Sequence, residues 1–146
     1  MAQTDTLTTP TQAIIDLLKQ KWKTLGLSTP DDIYYGDEQR YLRYPAIAVE
    51  ATALAAEPTS TQMRMTNTIV IYVFVYEGSL KNQEVKRKDR DERAEAVRDR
   101  IHTDRTLGGI LAHINVTNIE PGVSVIGQDH VLATRLTLEG ISKTEL

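Results

Sequence analysis

The chain has 146 residues, no cysteine, three histidines and a formal charge of −3 at pH 7. A single domain of this size buries roughly 70% of the surface its unfolded chain exposes, so a core forms without disulfides or a structural metal. The missing thiols exclude disulfide scaffolds, cysteine nucleophiles and cysteine zinc sites, and the weak negative charge argues against non-specific binding to polyanions.

The opening residues, Met-Ala-Gln-Thr-Asp-Thr, carry neither the basic nor the apolar region of a signal peptide. The longest apolar run, Ile69 to Tyr76, is far short of the ~20 residues a membrane helix requires. No membrane partner is expected. Residues 1–9 are polar and threonine-rich and read as a flexible lead-in to one domain over 10–146. Thr9 is a candidate N-cap and Pro10 suits the first helical position, so a helix is predicted from there to about Leu25, with Gly26 as its stop. Ile14, Ile15, Leu18, Trp22 and Leu25 form its apolar stripe, the face expected to lie on a sheet.

Ile33–Tyr35 is a short extended piece, followed by a polar turn over 36–40. A strand is predicted over Tyr44–Ala51, and Glu57-Pro58-Thr59-Ser60 signals a turn. The strongest strand runs from Gln62 to Tyr76. One face carries Met63, Met65, Asn67, Ile69, Ile71, Val73 and Val75; the other is polar as far as Thr68 and apolar from Val70. Fifteen extended residues span roughly 50 Å, against about 38 Å for a compact chain of this length. Part of the hairpin around Pro58 therefore overhangs as an arm with unpaired edge groups, or bends back through a bulge. Met63, Arg64 and Met65 lie on that arm.

A second helix is predicted over 81–103, with eight basic and six acidic side chains. Ala94, Val97 and Ile101 make a narrow apolar stripe, but its continuation toward the N-terminus meets Arg90, Arg87 and Gln83. Only the C-terminal half has an evident core face. The rest is held by pairs such as Glu84/Lys88, Asp89/Arg93 and Glu95/Arg98 and is expected to face water, a pore or a partner. Two strands follow, one from Ile110 to Glu120 stopped by Pro121-Gly122, the other over Val131–Glu139. Helix, strands, helix, strands, with few helical crossovers, predicts an α+β fold. Two helices pack on a mainly antiparallel sheet of four to five strands with a long protruding hairpin.

Catalytic signatures are weak. His102, His113 and His130 show no i, i+4 spacing, Ser124 has no nucleophile-elbow context, and Gly108-Gly109 stands alone. Pro30-Asp31 with Glu84-Val85-Lys86 superficially resembles a magnesium-nuclease pattern. On a helix, however, residues i and i+2 diverge by about 200°, which separates Glu84 from Lys86. No catalytic residue, metal or cofactor is expected, and a magnesium-dependent nuclease is the remote alternative.

The amphipathic first helix, Tyr44-Pro45-Ala46, the hairpin ending in Ile69-Val70-Ile71-Tyr72-Val73-Phe74-Val75, the charged helix closing on Asp104-Arg105-Thr106-Leu107-Gly108-Gly109 and the final Leu-Thr-Leu strand occur here in one order. Together they resemble tail terminator proteins of long-tailed bacteriophages, also called tail-completion or head-to-tail joining proteins. The resemblance spans Thr11 to Lys143 and implies a structural virion protein at the tail–neck junction. Its protomers would form a hexameric ring that caps the tail tube, ends tube polymerisation and docks the neck, with the tail sheath as a further neighbour and DNA as passing cargo. Met63, Arg64, Met65, Arg87, Arg90 and Arg93 are the residues expected at subunit or partner interfaces. A neck or stopper ring protein of the same joint is the alternative.

Overall fold

The computed structural model describes residues 7–36, 44–58, 62–77, 83–126 and 129–145. Helix α1 covers Thr8–Lys19, a 3-10 turn Pro30–Asp32, strand β1 Ile33–Tyr35, β2 Ala46–Pro58, β3 Gln62–Glu77, helix α2 Gln83–His102, β4 His113–Ile126 and β5 Asp129–Glu145. The strands form one sheet in the order β1-β2-β3-β5-β4. Every pairing is antiparallel except β1 on β2, which is parallel. This is the α+β fold with a mainly antiparallel sheet that the element order predicts.

Strand β3 suits the central position because it is apolar on both faces over its distal half. Ile69, Ile71, Val73 and Val75 point into the main core, while Val70 and Phe74 are buried on the reverse. The main core collects the α1 stripe (Ile14, Ile15, Leu18), Leu25 from the turns after it, the α2 stripe (Ala94, Val97, Ile101) and the facing residues Ile47, Val49, Leu136 and Leu138. Both helices therefore cover the same face of the sheet. A smaller cluster of Ala48, Phe74, Val131 and Ala133, flanked by Tyr44 and Tyr72, lies on the opposite face.

Several boundaries differ from expectation. Helix α1 begins at Thr8, so Thr9 is inside it and Leu7 takes the N-cap without a side-chain cap bond. Thr11 Oγ1 instead donates to Leu7 O at 2.7 Å. Pro10 is tolerated because the first-turn amides have no helical acceptor in any case. The regular helix stops at Lys19, and a looser run of turns continues to Gly26. That run closes as a Schellman motif. Gly26 N–H donates to Lys23 O, Leu27 N–H donates to Trp22 O, and Gly26 sits at φ +81°. The expected lead-in over 1–9 lies partly outside the described residues.

Strand β2 continues through Pro58 where a turn was expected, because β3 supplies partners as far as Pro58↔Met63. Strand β4 likewise runs through Pro121-Gly122 to Ile126. It is an edge strand, where a missing proline N–H on the outer side breaks no ladder bond. Strand β5 extends to Glu145, passing through Gly140, where an added Cβ would lie 2.6 Å from Leu111 Cδ1. The glycine there allows close packing rather than a turn.

Gly26→Ala would force a side chain into a left-handed backbone and against the Arg93 guanidinium, which already fills the space a Cβ would need. A loss of about 1–2 kcal/mol is expected, measured as a lower urea midpoint with an unchanged slope.

Candidate functional site

Burial along β2 divides the sheet into two regions. Ala46 to Val49 are buried, Glu50 and Ala51 are half-buried, and from Thr52 to Pro58 only Leu54 keeps partial cover. The same boundary crosses β3, where residues 62–66 are half-buried or exposed and burial starts at Asn67. Beyond it β2, β3 and β5 continue together as a three-stranded end that the helices leave largely uncovered. Asn67 marks the border on the core face; it is fully buried, and its side-chain amide has no hydrogen-bond partner among the described residues.

The predicted hairpin residues lie on this end, but not on an open edge. Met63, Arg64 and Met65 pair with Pro58, Glu57 and Ala56 on one side and with Thr144, Lys143 and Ser142 on the other. The backbone of β3 is therefore occupied on both flanks, which corrects the expectation of unpaired groups there. The open backbone belongs to β2: β1 pairs only with Ile47–Val49, so the outer flank from Glu50 to Pro58 has no strand beside it among the described residues. Of the two alternatives, the bulge is present. A register shift sits at Ala51/Ala53, and pairing continues beyond it as far as Pro58↔Met63.

Helix α2 departs further from expectation. Arg90, on the polar continuation of the apolar stripe, is 6% exposed. Its Nε donates to Asp91 Oδ1 at 3.0 Å and its Nη1 to Gly122 O at 3.1 Å. Arg93 donates through Nε to Asp89 Oδ2 at 2.9 Å and through Nη1 to Gly26 O at 3.0 Å. Arg100, which no sequence pattern singles out, donates to Leu17 O at 3.0 Å and to Gln20 Oε1 at 2.8 Å.

Three arginines thus bind backbone carbonyls on β4, at the Schellman turn and on α1. They fasten a helix whose apolar stripe is too short to do so. Arg90 and Arg93 are committed within the protomer, in contrast to the expected outward role. Arg87 is exposed. The expected Asp89/Arg93 pair is present, Arg98 turns to Asp99 rather than Glu95, and the Glu84 side chain lies outside the described residues.

The Asp104–Gly109 stretch is a self-satisfied turn. Leu107, Gly108 and Gly109 all have positive φ. Asp104 Oδ2 accepts the Gly108 N–H at 2.9 Å, and Thr106 Oγ1 donates to Asp104 Oδ1 at 3.2 Å. Two glycines in succession allow this left-handed run. Beyond it, Ile114 N–H donates to Arg105 O at 2.7 Å, which ties the turn to β4.

Pro30-Asp31 is also occupied by local structure. Thr29 Oγ1 accepts the Asp31 N–H, and the buried Asp32 carboxylate accepts the Thr29 N–H, forming a capping box. Among the described residues no group of three or more histidine, aspartate or glutamate side chains is placed to hold a metal ion. No helix of the described residues is long and apolar enough to cross a membrane. A scan against protein-family models gives no match, and neither does a search of curated proteins.

His102 at the end of α2 accepts the Val116 N–H through Nε2 at 3.2 Å, next to the register shift at Val116/Asn118. Burial, followed by the Arg105 and Arg98 charges, lowers its pKa below the ordinary 6.5, with Asp99 opposing. An imidazolium cannot accept that hydrogen bond. The unfolded chain takes up the proton at a higher pH than the folded one. The stabilisation is therefore complete above about pH 6.5 and is lost as the pH falls through the lowered folded value. Urea midpoints at pH 7.5 and 5.5 should fall less in a His102→Gln variant, whose amide oxygen accepts at both pH values, than in the parent.

Proposed function

We propose that this chain is a ring-forming joining protein of the phage tail, a tail terminator that caps the tube and receives the neck. The observation that carries the reading is the sheet end beyond Ala51. It offers a paired but largely uncovered platform with an open β2 flank over Glu50–Pro58. Solitary proteins normally shorten, charge or cover such flanks. Here Thr52, Ala53, Ala55 and Ala56 leave its middle small and smooth, with charge only at Glu50 and Glu57 and Pro58 at its end.

A flank of this kind is suited to contact with another copy or with a cylindrical filament. The work is done by surface complementarity, with no bond made or broken. A contact of ordinary size buries about 800 Å² per partner, enough to hold on a template but marginal for free protomers in dilute solution.

Deleting residues between Ala55 and Arg64 should leave a folded protomer with a cooperative melt but abolish ring formation or tube capping; normal capping by the deletion variant would count against the reading. Electron microscopy of particles labelled on this chain should place it at the tube end. Label on the portal side would instead identify a stopper of the same joint.

A further inference from the structure

We infer that two copies of the free protein join through the open flank of β2, the same five residues of each strand pairing antiparallel about a two-fold axis at Ala55. The contact uses the flank described above but does not require a tail. Its basis is the unequal treatment of the two edges of the sheet.

The β4 edge is closed bond by bond. Away from β5, Ile114 N–H donates to Arg105 O at 2.7 Å and Val116 N–H to His102 Nε2 at 3.2 Å. Gly122 O accepts from Arg90 Nη1 at 3.1 Å, and Pro121 has no N–H to offer. At the β2 edge such closure ends with Val49, whose carbonyl accepts the Gly36 N–H at 2.7 Å. From Glu50 to Pro58 no strand and no backbone partner comes to the outer side among the described residues. An open row of amides and carbonyls is a template for another strand.

Two features bound the usable part. The register shift at Ala51/Ala53 leaves Thr52 as a bulge, its hydroxyl turned back to Thr68 O at 3.2 Å, and Pro58 has no amide. Between them Ala53 to Glu57 pair regularly with Thr68 to Arg64 of β3. Such a stretch overlaps its own copy in full in one antiparallel register, centred on its middle residue, Ala55. Ala53 then faces Glu57 of the second copy, and Leu54 faces Ala56. The glutamates do not oppose each other, and each has Arg64 opposite it on β3. The other facing residues are alanines except Leu54, so the two edges approach without a clash. On the core-side face, the half-buried Leu54 of one copy reaches the row of Ala56 and Met65 in the other, adding the cross-strand contacts that stabilise a sheet.

Strand β5 also runs past its neighbour, from Ser142 to Glu145. Like β2 it is antiparallel to β3, so copies set side by side would join β5 to β2 as a short parallel pair, the less stable arrangement. The two-fold contact is longer and antiparallel, and an isologous contact closes at two copies. While it lasts, it covers the flank that a ring or tube contact would use.

The chain has no cysteine, so disulfides report the contact directly. Facing residues of an antiparallel pair lie about 4.5–5.5 Å apart at Cα, within the span a disulfide bridges. Under mild oxidant at high concentration, Ala55→Cys should bridge to its own copy at least about tenfold faster than Ala53→Cys or Glu57→Cys, whose twins are displaced by roughly 13 Å along the strands. Ala53→Cys mixed with Glu57→Cys should bridge as readily as Ala55→Cys alone. Ala55→Lys and Ala55→Glu should each sediment as a monomer with a cooperative melt, and their equimolar mixture should recover the dimer.

An Ala55→Cys variant that stays monomeric overturns the inference, as does equal bridging by the three cysteine variants or a lysine–glutamate mixture that remains monomeric. Preferential bridging of Ala55→Cys to a Thr144→Cys variant would put β5 on the flank and overturn it as well. Dimers of a protein that never appears at a tube end would leave this contact standing and remove the tail reading; tube capping by a protein that never dimerises would do the reverse.

Discussion

The structure depends on a mismatch of lengths. Helix α1 has 12 residues and α2 has 20, which at 1.5 Å per residue makes them about 18 and 30 Å long. The strands they cover have 13, 16 and 17 residues, or roughly 43 to 56 Å at 3.3 Å each. Two helices on one face cannot cover such a sheet from end to end. The apolar burial of β2 and β3 is therefore concentrated at Ala46–Val49 and Ile69–Val75, where the two strands meet the helices, and the far end is held by backbone pairing. A strand end without a core would fray if it stood alone or in a pair; β5, following β3 as far as Glu145, makes it three-stranded.

The same shortage of apolar surface explains the arginines of α2. Its core stripe is Ala94, Val97 and Ile101, three side chains over two turns. Arg90, Arg93 and Arg100 extend the hold by donating to carbonyls of Gly122, Gly26 and Leu17. A charge-assisted bond to a carbonyl is worth about 1.5–3 kcal/mol in favourable surroundings, and it is directional in a way that apolar packing is not. Helix α2 is therefore fixed in position by hydrogen bonds as much as by burial, and its N-terminal turns can remain polar.

The local parts of this arrangement were legible in the sequence. Ile14, Ile15 and Leu18, and then Ala94, Val97 and Ile101, repeat at helical spacing, and they are buried. The alternation in β3 marked both its length and its two-faced half. What was hidden was non-local. Ala53 to Ala56 have little intrinsic strand preference, and only pairing with β3 from Thr68 back to Met65 makes them a strand. Pro121 looked like a stop because its edge position follows from topology. The role of Arg90 depends on a carbonyl 32 residues away, and no spacing rule reports such a contact.

A ring built from weak contacts, as proposed above, has a consequence for when assembly occurs. In an open chain each added copy gains one interface and loses its translational freedom. Closing a ring adds one more interface within an already connected object, where the two ends meet at high effective concentration. A filament or tube that aligns the copies raises that concentration further. Interfaces too weak to keep free protomers together can then hold a closed ring on its template. An open but small-residued β2 flank has the character the proposed ring requires: it is neither apolar enough to aggregate in solution nor charged enough to repel its own kind once aligned.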